Sequence, residues 1–404
     1  MRVYLDNAAT SFPKPMAVYD AVDRYQRSTG VSIGRGAYRE AVESQRMLDR
    51  CRQRAAMLLG AESPQRIIFT YSGTDGLNMA LVGLCRPGDH VVTSELEHNS
   101  VLRPLRWLSE TRSVEVTRVS PRTDGRIEPA DVRAVLRPNT RLVVIQHASN
   151  VTGVVQPIGE IGEIARANGS FVLIDAAQTA GHLPLDLSQM SVDVLACPGH
   201  KGLLGPLGTG LVYLRPGIER QLDCYRLGGT GTLSEDDRQP MPMPERYESG
   251  NHNAPGLAGL DAALAHLQGE TAEQVRRAES ELTGRLVEGL KSLARVTVYG
   301  HASPTTPHVG VVSFNVSGFA PHEAASILDD SFGIQARAGL HCAPGAHRWL
   351  GTLDGGGTIR FSIGPFTTTS EIDHAISSVR ELAGSCAIAP SGFKSLATGF
   401  NASV

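Results

Sequence analysis

The sequence has no long apolar run and no large excess of charge of either sign. Lys and Arg total 38 against 41 Asp and Glu residues, which gives a formal net charge of -3. Such a balance disfavours binding to nucleic acid or to an anionic membrane. No apolar run approaches the roughly 18 residues that a membrane span requires, and residues Met1 to Asp6 lack the apolar segment of a secretion signal. We therefore expect a cytoplasmic protein with neither a nucleic-acid nor a membrane partner.

Cysteine is also scarce, and the six cysteines show no pairing pattern. In a chain of this size without a secretion signal, reduced thiols are the better interpretation. Two segments contain metal-ligand residue types, Cys197-x-x-His200 and His341-Cys342 with His347, but neither has a convincing second half-site. We therefore predict no metal site.

Aromatic residues make up only 5% of the chain, but the hydrophobic fraction of 41% suits a globular α/β protein. At 404 residues the chain is too long for one ordinary core, so we expect two domains. Short continuous apolar runs, typical of buried parallel strands, alternate with helical patterns. The predicted strands are 67–70, 90–93, 142–145, 171–174 and 192–196, and the predicted helices are 38–59, 75–84, 98–110, 128–136 and 158–168. This order predicts a doubly wound, mainly parallel sheet.

The pattern changes after about residue 260, where a smaller α+β domain is expected. A long amphipathic stretch, 255–294, precedes a mixture of strand and helix patterns at 296–298, 310–315, 321–331, 358–363 and 370–384. We predict a large domain over residues 14–260, a small domain over 1–13 and 261–384, and a flexible tail over 385–404.

Two polar side chains follow predicted strands of the large domain. Lys201 lies in a glycine-rich turn after strand 192–196, and Asp175 ends the apolar run 171–174. An amine at this edge of a sheet can form a Schiff base where its pKa is lowered, and a carboxylate can keep a pyridinium nitrogen protonated. The alternatives are a surface lysine in a turn and an aspartate that caps a helix. The spacing of 26 residues between Asp175 and Lys201 favours a Schiff-base lysine with a carboxylate partner for the ring nitrogen.

A third signal is the small-residue turn from Tyr71 to Gly76, between a strand and a helix. Backbone N–H groups at the start of a helix, together with a hydroxyl such as that of Thr74, form a cradle for phosphate. His98 follows another predicted strand, and it is either placed to stack on an aromatic ring or an ordinary residue at the start of a helix. Singly, both signals are weak.

In combination, these segments resemble the cysteine desulfurase and selenocysteine lyase family, within the class V aminotransferase-like group of fold type I pyridoxal 5′-phosphate enzymes. The resemblance runs from Tyr4-Leu-Asp-Asn-Ala-Ala9 to about Arg380 and is most specific at Asp175-Ala-Ala-Gln178 and Gly199-His-Lys-Gly202. It implies pyridoxal 5′-phosphate as cofactor and Lys201 as its Schiff-base lysine. It assigns the remaining cofactor contacts to Asp175 (pyridine nitrogen), Gln178 (phenolic oxygen), His98 (ring face), Asn150 (above cofactor and substrate), and Gly73, Thr74 and His200 (phosphate).

The C-terminal part carries the sulfur chemistry that the resemblance implies. Cys342 would take sulfur from L-cysteine as a persulfide and release L-alanine, while Arg337 and Arg360 would bind the substrate; a planar guanidinium suits a carboxylate. Only 18 residues separate Cys342 from Arg360, which resembles the group with a compact cysteine segment. Positive charge from Arg337, or from His341 if protonated, should favour the thiolate. The alternative for Cys342 is a small buried hydrophobic residue.

The resemblance also implies partners. Ser249-Gly-Asn251 looks like the segment that reaches the phosphate of a neighbouring subunit, so a homodimer is expected, and a sulfur-acceptor protein is a further candidate partner. Two positions depart from the family pattern, because Pro198 stands where a phosphate-binding serine is frequent and Asn251 where a threonine is frequent.

Other functions stay open on the same residues. L-selenocysteine is the nearest alternative substrate, and a different lyase, an epimerase or a cyclase could use the same scaffold. A non-catalytic scaffold that only binds a sulfur acceptor is disfavoured, since the lysine, the aspartate and both arginines are present.

Overall fold

The computed structural model describes residues 2–34, 36–233, 235–269, 272–301 and 305–385. Beyond its first residue, the predicted flexible tail 385–404 lies outside the described residues. The strands are β1 (Val3–Tyr4), β2 (Ile67–Thr70), β3 (His90–Ser94), β4 (Glu115–Val119), β5 (Thr140–Gln146), β6 (Phe171–Asp175), β7 (Val194–Pro198), β8 (Gly210–Leu214), β9 (Val296–Tyr299), β10 (Val311–Val316), β11 (Ile334–Gln335), β12 (Arg337–Gly339) and β13 (Thr358–Ser362). The α-helices are α1 (Met16–Arg24), α2 (Arg39–Leu59), α3 (Gly73–Leu84), α4 (Asn99–Arg112), α5 (Pro129–Val135), α6 (Ile158–Ala167), α7 (Ala254–Leu267), α8 (Ala272–Lys291), α9 (Pro321–Phe332), α10 (Pro344–Trp349) and α11 (Thr369–Ser385).

Seven strands form the large sheet, in the order β2-β8-β7-β6-β5-β3-β4. Strands β3 to β7 pair in parallel, whereas β8 runs antiparallel to both of its neighbours, β7 and β2. Every residue of β2, β3, β7 and β8 is buried, as expected for strands covered on both faces. The predicted mainly parallel sheet is confirmed.

Helices cover both faces of the large sheet. One apolar cluster joins α2, α6 and α7 to one face through residues such as Leu48 and Ile161. A second cluster joins α3 and α4 to the opposite face through residues such as Leu81 and Leu105. This two-sided packing is the doubly wound arrangement that the alternation of strand and helix patterns predicts.

Four further strands form an antiparallel sheet in the order β12-β13-β10-β9. Helices α8, α9 and α11 pack on it around a core that contains Phe314 and Phe361. β1 pairs in parallel with β11, so the first residues of the chain join this region. The α+β character predicted for the C-terminal part is confirmed.

The amphipathic stretch 255–294 divides into α7 and α8. α7 is buried on most sides, and Leu264 and Leu267 near its end lie in the core of the large sheet. The expected boundary after residue 260 therefore falls inside α7. Among the described residues, no helix is long and apolar enough to cross a bilayer.

Candidate active site

The carboxyl edge of the large sheet carries a cavity of about 520 Å³. It lies where β5, β6 and β7 end, the position at which open α/β sheets bind ligands. The structure brings eight predicted site residues together in its lining: Gly73, Thr74, His98, Asn150, Asp175, Gln178, His200 and Lys201. Ser100 and Gln146 line it as well, although no motif in the sequence singled them out.

Lys201 lies in this cavity, directly after β7. The pKa of its amine is lowered to about 8, because burial disfavours the ammonium form and because Arg360 and Arg337 repel it. The carboxylate of Asp175 acts in the opposite direction. A neutral amine is the form that attacks a carbonyl carbon, and the lowered pKa makes that form of Lys201 more abundant near neutral pH than it is for an exposed lysine.

Asp175 ends β6 with a buried side chain. Its Oδ1 accepts a hydrogen bond of 2.9 Å from the N–H of Ala177. Burial raises the pKa of the carboxyl, while that hydrogen bond and the charge of Lys201 lower it. Because a buried carboxylate needs a cation or several donors, a protonated ring nitrogen in the cavity would be a suitable partner.

His98 has both of the roles that the sequence left open, since it caps α4 and lines the cavity. Its Nδ1 accepts a hydrogen bond of 3.0 Å from the N–H of Ser100. The pKa of the imidazole is lowered to about 4, because of burial and of the positive charges of Lys201 and Arg337. A neutral imidazole ring can stack on a protonated heterocycle without charge repulsion.

The predicted phosphate cradle is the first turn of α3. Ser72 caps this helix, and its Oγ accepts a hydrogen bond of 3.1 Å from the N–H of Asp75. In the part of the chain that the structure describes, the N–H groups of Gly73 and Thr74 donate to no protein atom. Free N–H groups at the start of a 12-residue helix are suited to an anion.

Pro198 and Ser100 complete the same wall. A Cβ atom on Gly73 would lie 3.1 Å from Cδ of Pro198, so the close contact of these two segments favours glycine. The Oγ of Ser100 lies 2.7 Å from Oγ1 of Thr74. Ser100 thus places a second hydroxyl beside that of Thr74, on the wall that also contains Pro198.

Two buried polar atoms of the lining, Nδ1 of His200 and Oδ1 of Asn150, have no hydrogen-bond partner among the described residues. Unpaired buried polar atoms are costly, and they indicate that a polar ligand belongs in the cavity. Together with the lysine, the buried acid and the helix N-terminus, they fit pyridoxal 5′-phosphate.

Arg360 of β13 is fully buried beside this cavity. Its Nη2 donates to Oδ1 of Asp6 at 2.7 Å and its Nη1 to the carbonyl oxygen of Asn150 at 3.1 Å. Its Nε is buried and has no hydrogen-bond partner among the described residues. Sequence reasoning did not identify Asp6 as the counter-ion.

Cys342 follows β12 in a turn that holds it near Arg337, whose Nη2 lies 3.6 Å from Sγ. The φ angles of His341 and Cys342 are 48° and 59°, in the left-handed region that side chains other than glycine rarely adopt. The carbonyl oxygen of Cys342 accepts a hydrogen bond of 2.7 Å from the N–H of Asn99. The cysteine is only partly buried, which argues against a purely structural role.

His341 is not a source of positive charge for this cysteine. Its Nε2 lies 3.1 Å from both the carbonyl oxygen and Oγ1 of Thr358. Burial, together with the charge of Arg360, lowers the pKa of the imidazole to about 2. His341 is therefore neutral, and Arg337 is left as the cation nearest to Cys342 in the chain.

Asn251 lies away from the cavity of its own chain. It is exposed and lines a separate surface depression. Its carbonyl oxygen accepts a hydrogen bond of 2.7 Å from the hydroxyl of Tyr71, and its Oδ1 accepts one of 3.1 Å from Ser32. Within one subunit, Asn251 is thus not among the residues that form the phosphate cradle.

Comparison with known proteins gives a consistent result. The family model described as aminotransferase class-V matches residues 3–374. A probable cysteine desulfurase of Methanothermobacter thermautotrophicus is 35% identical over 385 residues, which cover 95% of each chain.

Solved structures show the same likeness. The apo structure of a cysteine desulfurase from Thermococcus onnurineus NA1 superposes with a TM-score of 0.89 at 32% identity, covering 95% of both chains. A cysteine desulfurase of Escherichia coli in an S-sulfonic acid form gives a TM-score of 0.86 at 26% identity, also over 95% of both chains. The predicted fold class is confirmed.

Proposed function

The chain belongs to the aminotransferase class-V family, and from this premise we propose that it is a pyridoxal 5′-phosphate-dependent cysteine desulfurase. Its substrate would be L-cysteine, and its products L-alanine and a persulfide on Cys342. The curated relative and both solved structures described above carry the name cysteine desulfurase.

One observation supports the proposal most directly. Cys342, beside Arg337, opens into a groove that shares Thr74, His98 and Ser100 with the cavity that contains Lys201. Cys342 and Lys201, an amine of lowered pKa, therefore line two neighbouring spaces that have three residues in common. This proximity supports a thiol that acts on the sulfur of an amino acid held by its amino group.

The chain's own groups divide the work of binding. The N-terminus of α3 with Thr74 and Ser100 would hold the phosphate, Asp175 the ring nitrogen and His98 the ring face. Lys201 would bind the cofactor covalently and, with a pKa near 8, can give up and take back a proton. Bound pyridoxal 5′-phosphate supplies an electron sink next to the amino acid's Cα.

Arg360 and Cys342 would act on the two ends of the substrate. The carboxylate would meet the unpaired Nε of Arg360, whose position is fixed by Asp6. The thiolate of Cys342 would attack the substrate sulfur, so that an S–S bond forms and the C–S bond breaks. The electron pair of that bond stays with the carbon fragment, which gains a proton and leaves as alanine. Arg337, whose Nη2 lies 3.6 Å from Sγ of Cys342, would place a positive charge beside the reacting sulfur.

A substrate panel tests the proposed function. Purified holoenzyme is given L-cysteine, L-selenocysteine or L-cysteine sulfinate in the presence of reductant, and alanine is measured together with sulfide, selenide or sulfite. We expect alanine and sulfide in equal amounts from L-cysteine. Alanine from L-selenocysteine alone would assign the protein to the selenocysteine lyases instead, and release of pyruvate would indicate another lyase.

We further propose a homodimer in which Asn251 reaches the partner's phosphate. Lys201→Ala and Asn251→Asp should each be inactive, the second because a carboxylate repels phosphate. Subunits mixed after mild dissociation should regain activity, since each mixed dimer contains one site with both native residues. Light scattering reports the assembly state, and full activity in a strict monomer would contradict the proposal.

A further inference from the structure

The carbonyl oxygen of His200, the residue directly before Lys201, accepts hydrogen bonds from four donors near the start of the chain. They are the N–H of Ser11 at 3.0 Å, Oγ1 of Thr10 at 3.1 Å, Oγ of Ser11 at 3.2 Å and Nζ of Lys14 at 2.8 Å. We call Thr10, Ser11 and Lys14 the N-terminal clamp. A carbonyl oxygen has only two lone pairs, so these donors exceed what the acceptor needs for its own satisfaction.

The N-terminal clamp contacts the peptide groups on both sides of Lys201. Oγ of Ser11 also lies 3.0 Å from the carbonyl oxygen of Lys201. Ser11 is buried, and its single hydroxyl hydrogen is donated to one of the two carbonyl oxygens at a time. The peptide groups that flank a residue determine its backbone dihedral angles, and thus the direction of its Cα–Cβ bond. The clamp is therefore placed to set the direction in which the side chain of Lys201 leaves the backbone.

Lys14 is the member of the clamp that can carry a charge. Its Nζ also donates to Oγ of Ser11 at 2.7 Å, so both of its acceptors are neutral, and within the residues that the structure describes it forms no ion pair. Burial alone lowers the pKa of the amine to about 8. A partly buried cation with only neutral acceptors is unfavourable for stability, and such local conflicts are expected at functional sites.

The same stretch of chain also holds the small domain. Oδ1 of Asp6 accepts a hydrogen bond from Nη2 of Arg360 at 2.7 Å. Nδ2 of Asn7 donates to the carbonyl oxygen at the end of β13 at 3.0 Å. Residues 6–14 therefore connect β13 with the turn that contains Lys201. A shift of that turn relative to this stretch would change the distance between the amine and the arginine that would bind the substrate.

We propose that Lys14 is a positioning residue for Lys201, which it holds through the peptide group between His200 and Lys201. This inference rests on the proposed function, because the direction of Lys201 matters only if its amine binds the cofactor. A charge-assisted hydrogen bond is shorter and stronger than a neutral one, so the ammonium of Lys14 is the donor that holds this peptide group most firmly. The orientation of the turn keeps the amine where it can attack the carbonyl carbon of pyridoxal 5′-phosphate.

Lys14→Met tests the proposal, because it removes the charge and the donor but keeps an unbranched side chain. Pyridoxal 5′-phosphate is added back to apo protein, and visible absorbance follows its attachment to Lys201. Attachment and kcat for L-cysteine should each fall roughly tenfold, the scale of a small misplacement of a reacting group. The KM for L-cysteine and the Tm of the apo protein should not change, since three donors still satisfy the carbonyl oxygen of His200. Lys14→Arg keeps the charge and should recover most of both rates.

Lys291→Met is the matched control, because Nζ of Lys291 also donates to a carbonyl oxygen, that of His301, outside the lining of the cavity that contains Lys201. It should keep both rates. If Lys14→Met does not fold, Lys14→Gln repeats the test, since it keeps an N–H donor without the charge. Wild-type rates in a folded neutral variant of Lys14 would overturn the proposal. So would a loss of rate that accompanies a lower Tm and is not recovered by Lys14→Arg. A wild type that does not bind pyridoxal 5′-phosphate would instead refute the proposed function.

Discussion

Replacement of Cys342 by serine should give a protein that binds cofactor but no longer transfers sulfur from L-cysteine. The hydroxyl fits the same turn, yet it is not ionised near neutral pH and cannot form a persulfide. We expect alanine formation to fall on the order of 10³-fold or more, the scale on which loss of a catalytic nucleophile acts. Peptide mass spectrometry after brief exposure to L-cysteine without reductant should find an added sulfur atom on the wild-type peptide only.

Cys224→Ser is the matched control. Cys224 is also partly buried, but its Sγ donates to the carbonyl oxygen of Arg246, outside the cavity. This variant should keep both alanine formation and the added sulfur on Cys342. Alanine formation at the wild-type rate in Cys342→Ser would rule out the thiol as nucleophile.

Lys201→Ala should lose covalent attachment of the cofactor and essentially all turnover. In the wild type, borohydride should fix pyridoxal 5′-phosphate to the peptide that contains Lys201.

Because the pKa of Lys201 is about 8, the neutral amine becomes more abundant as pH rises through 8. Attachment to the apo protein should therefore accelerate over that range and level off above it. Absorbance in the visible region measures the attachment rate.

Asp175→Asn should lower turnover without preventing attachment of the cofactor to Lys201. An amide leaves Lys201 free to bind the cofactor, but it cannot stabilise a protonated ring nitrogen, so turnover should drop roughly 100-fold, as for other lost electrostatic partners. Lys14 offers an internal check, since burial also lowers the pKa of its amine to about 8. Recovery of the reduced cofactor on Lys14 rather than Lys201 would refute the assignment of the lysine.

The part of the site that could be predicted is the part built from strand ends. Lys201 and Asp175 follow apolar runs directly, and neighbouring parallel strands bring their carboxyl ends to one edge of the sheet. Thr74 was predictable for a similar reason, since a small-residue turn between strand and helix marks a helix N-terminus. These inferences need only local order and the rule that parallel strands share a direction.

The remaining features depend on contacts that no local pattern encodes. Asp6 and Arg360 pair across 354 positions of the chain, so neither residue identifies the other in the sequence. The charge of His341 could not be read from its position, because burial and the charge of Arg360 decide its pKa. The sequence also did not show that α7 packs on the large sheet. Its apolar pattern continues into α8, although the two helices pack into different hydrophobic cores.

The pairing of Asp6 with Arg360 has a consequence for synthesis of the chain. A ribosome adds roughly 5–20 residues per second, so about 20–70 s pass between emergence of Asp6 and that of Arg360. β1 likewise cannot pair until β11 has been made. The N–H of Ser11 cannot donate to the carbonyl oxygen of His200 until that residue has been made. β1 and Asp6 must therefore stay unpaired with their final partners for most of translation. Under the proposed function, the arginine that would bind the substrate carboxylate is thus made only with β13, near the end of the chain.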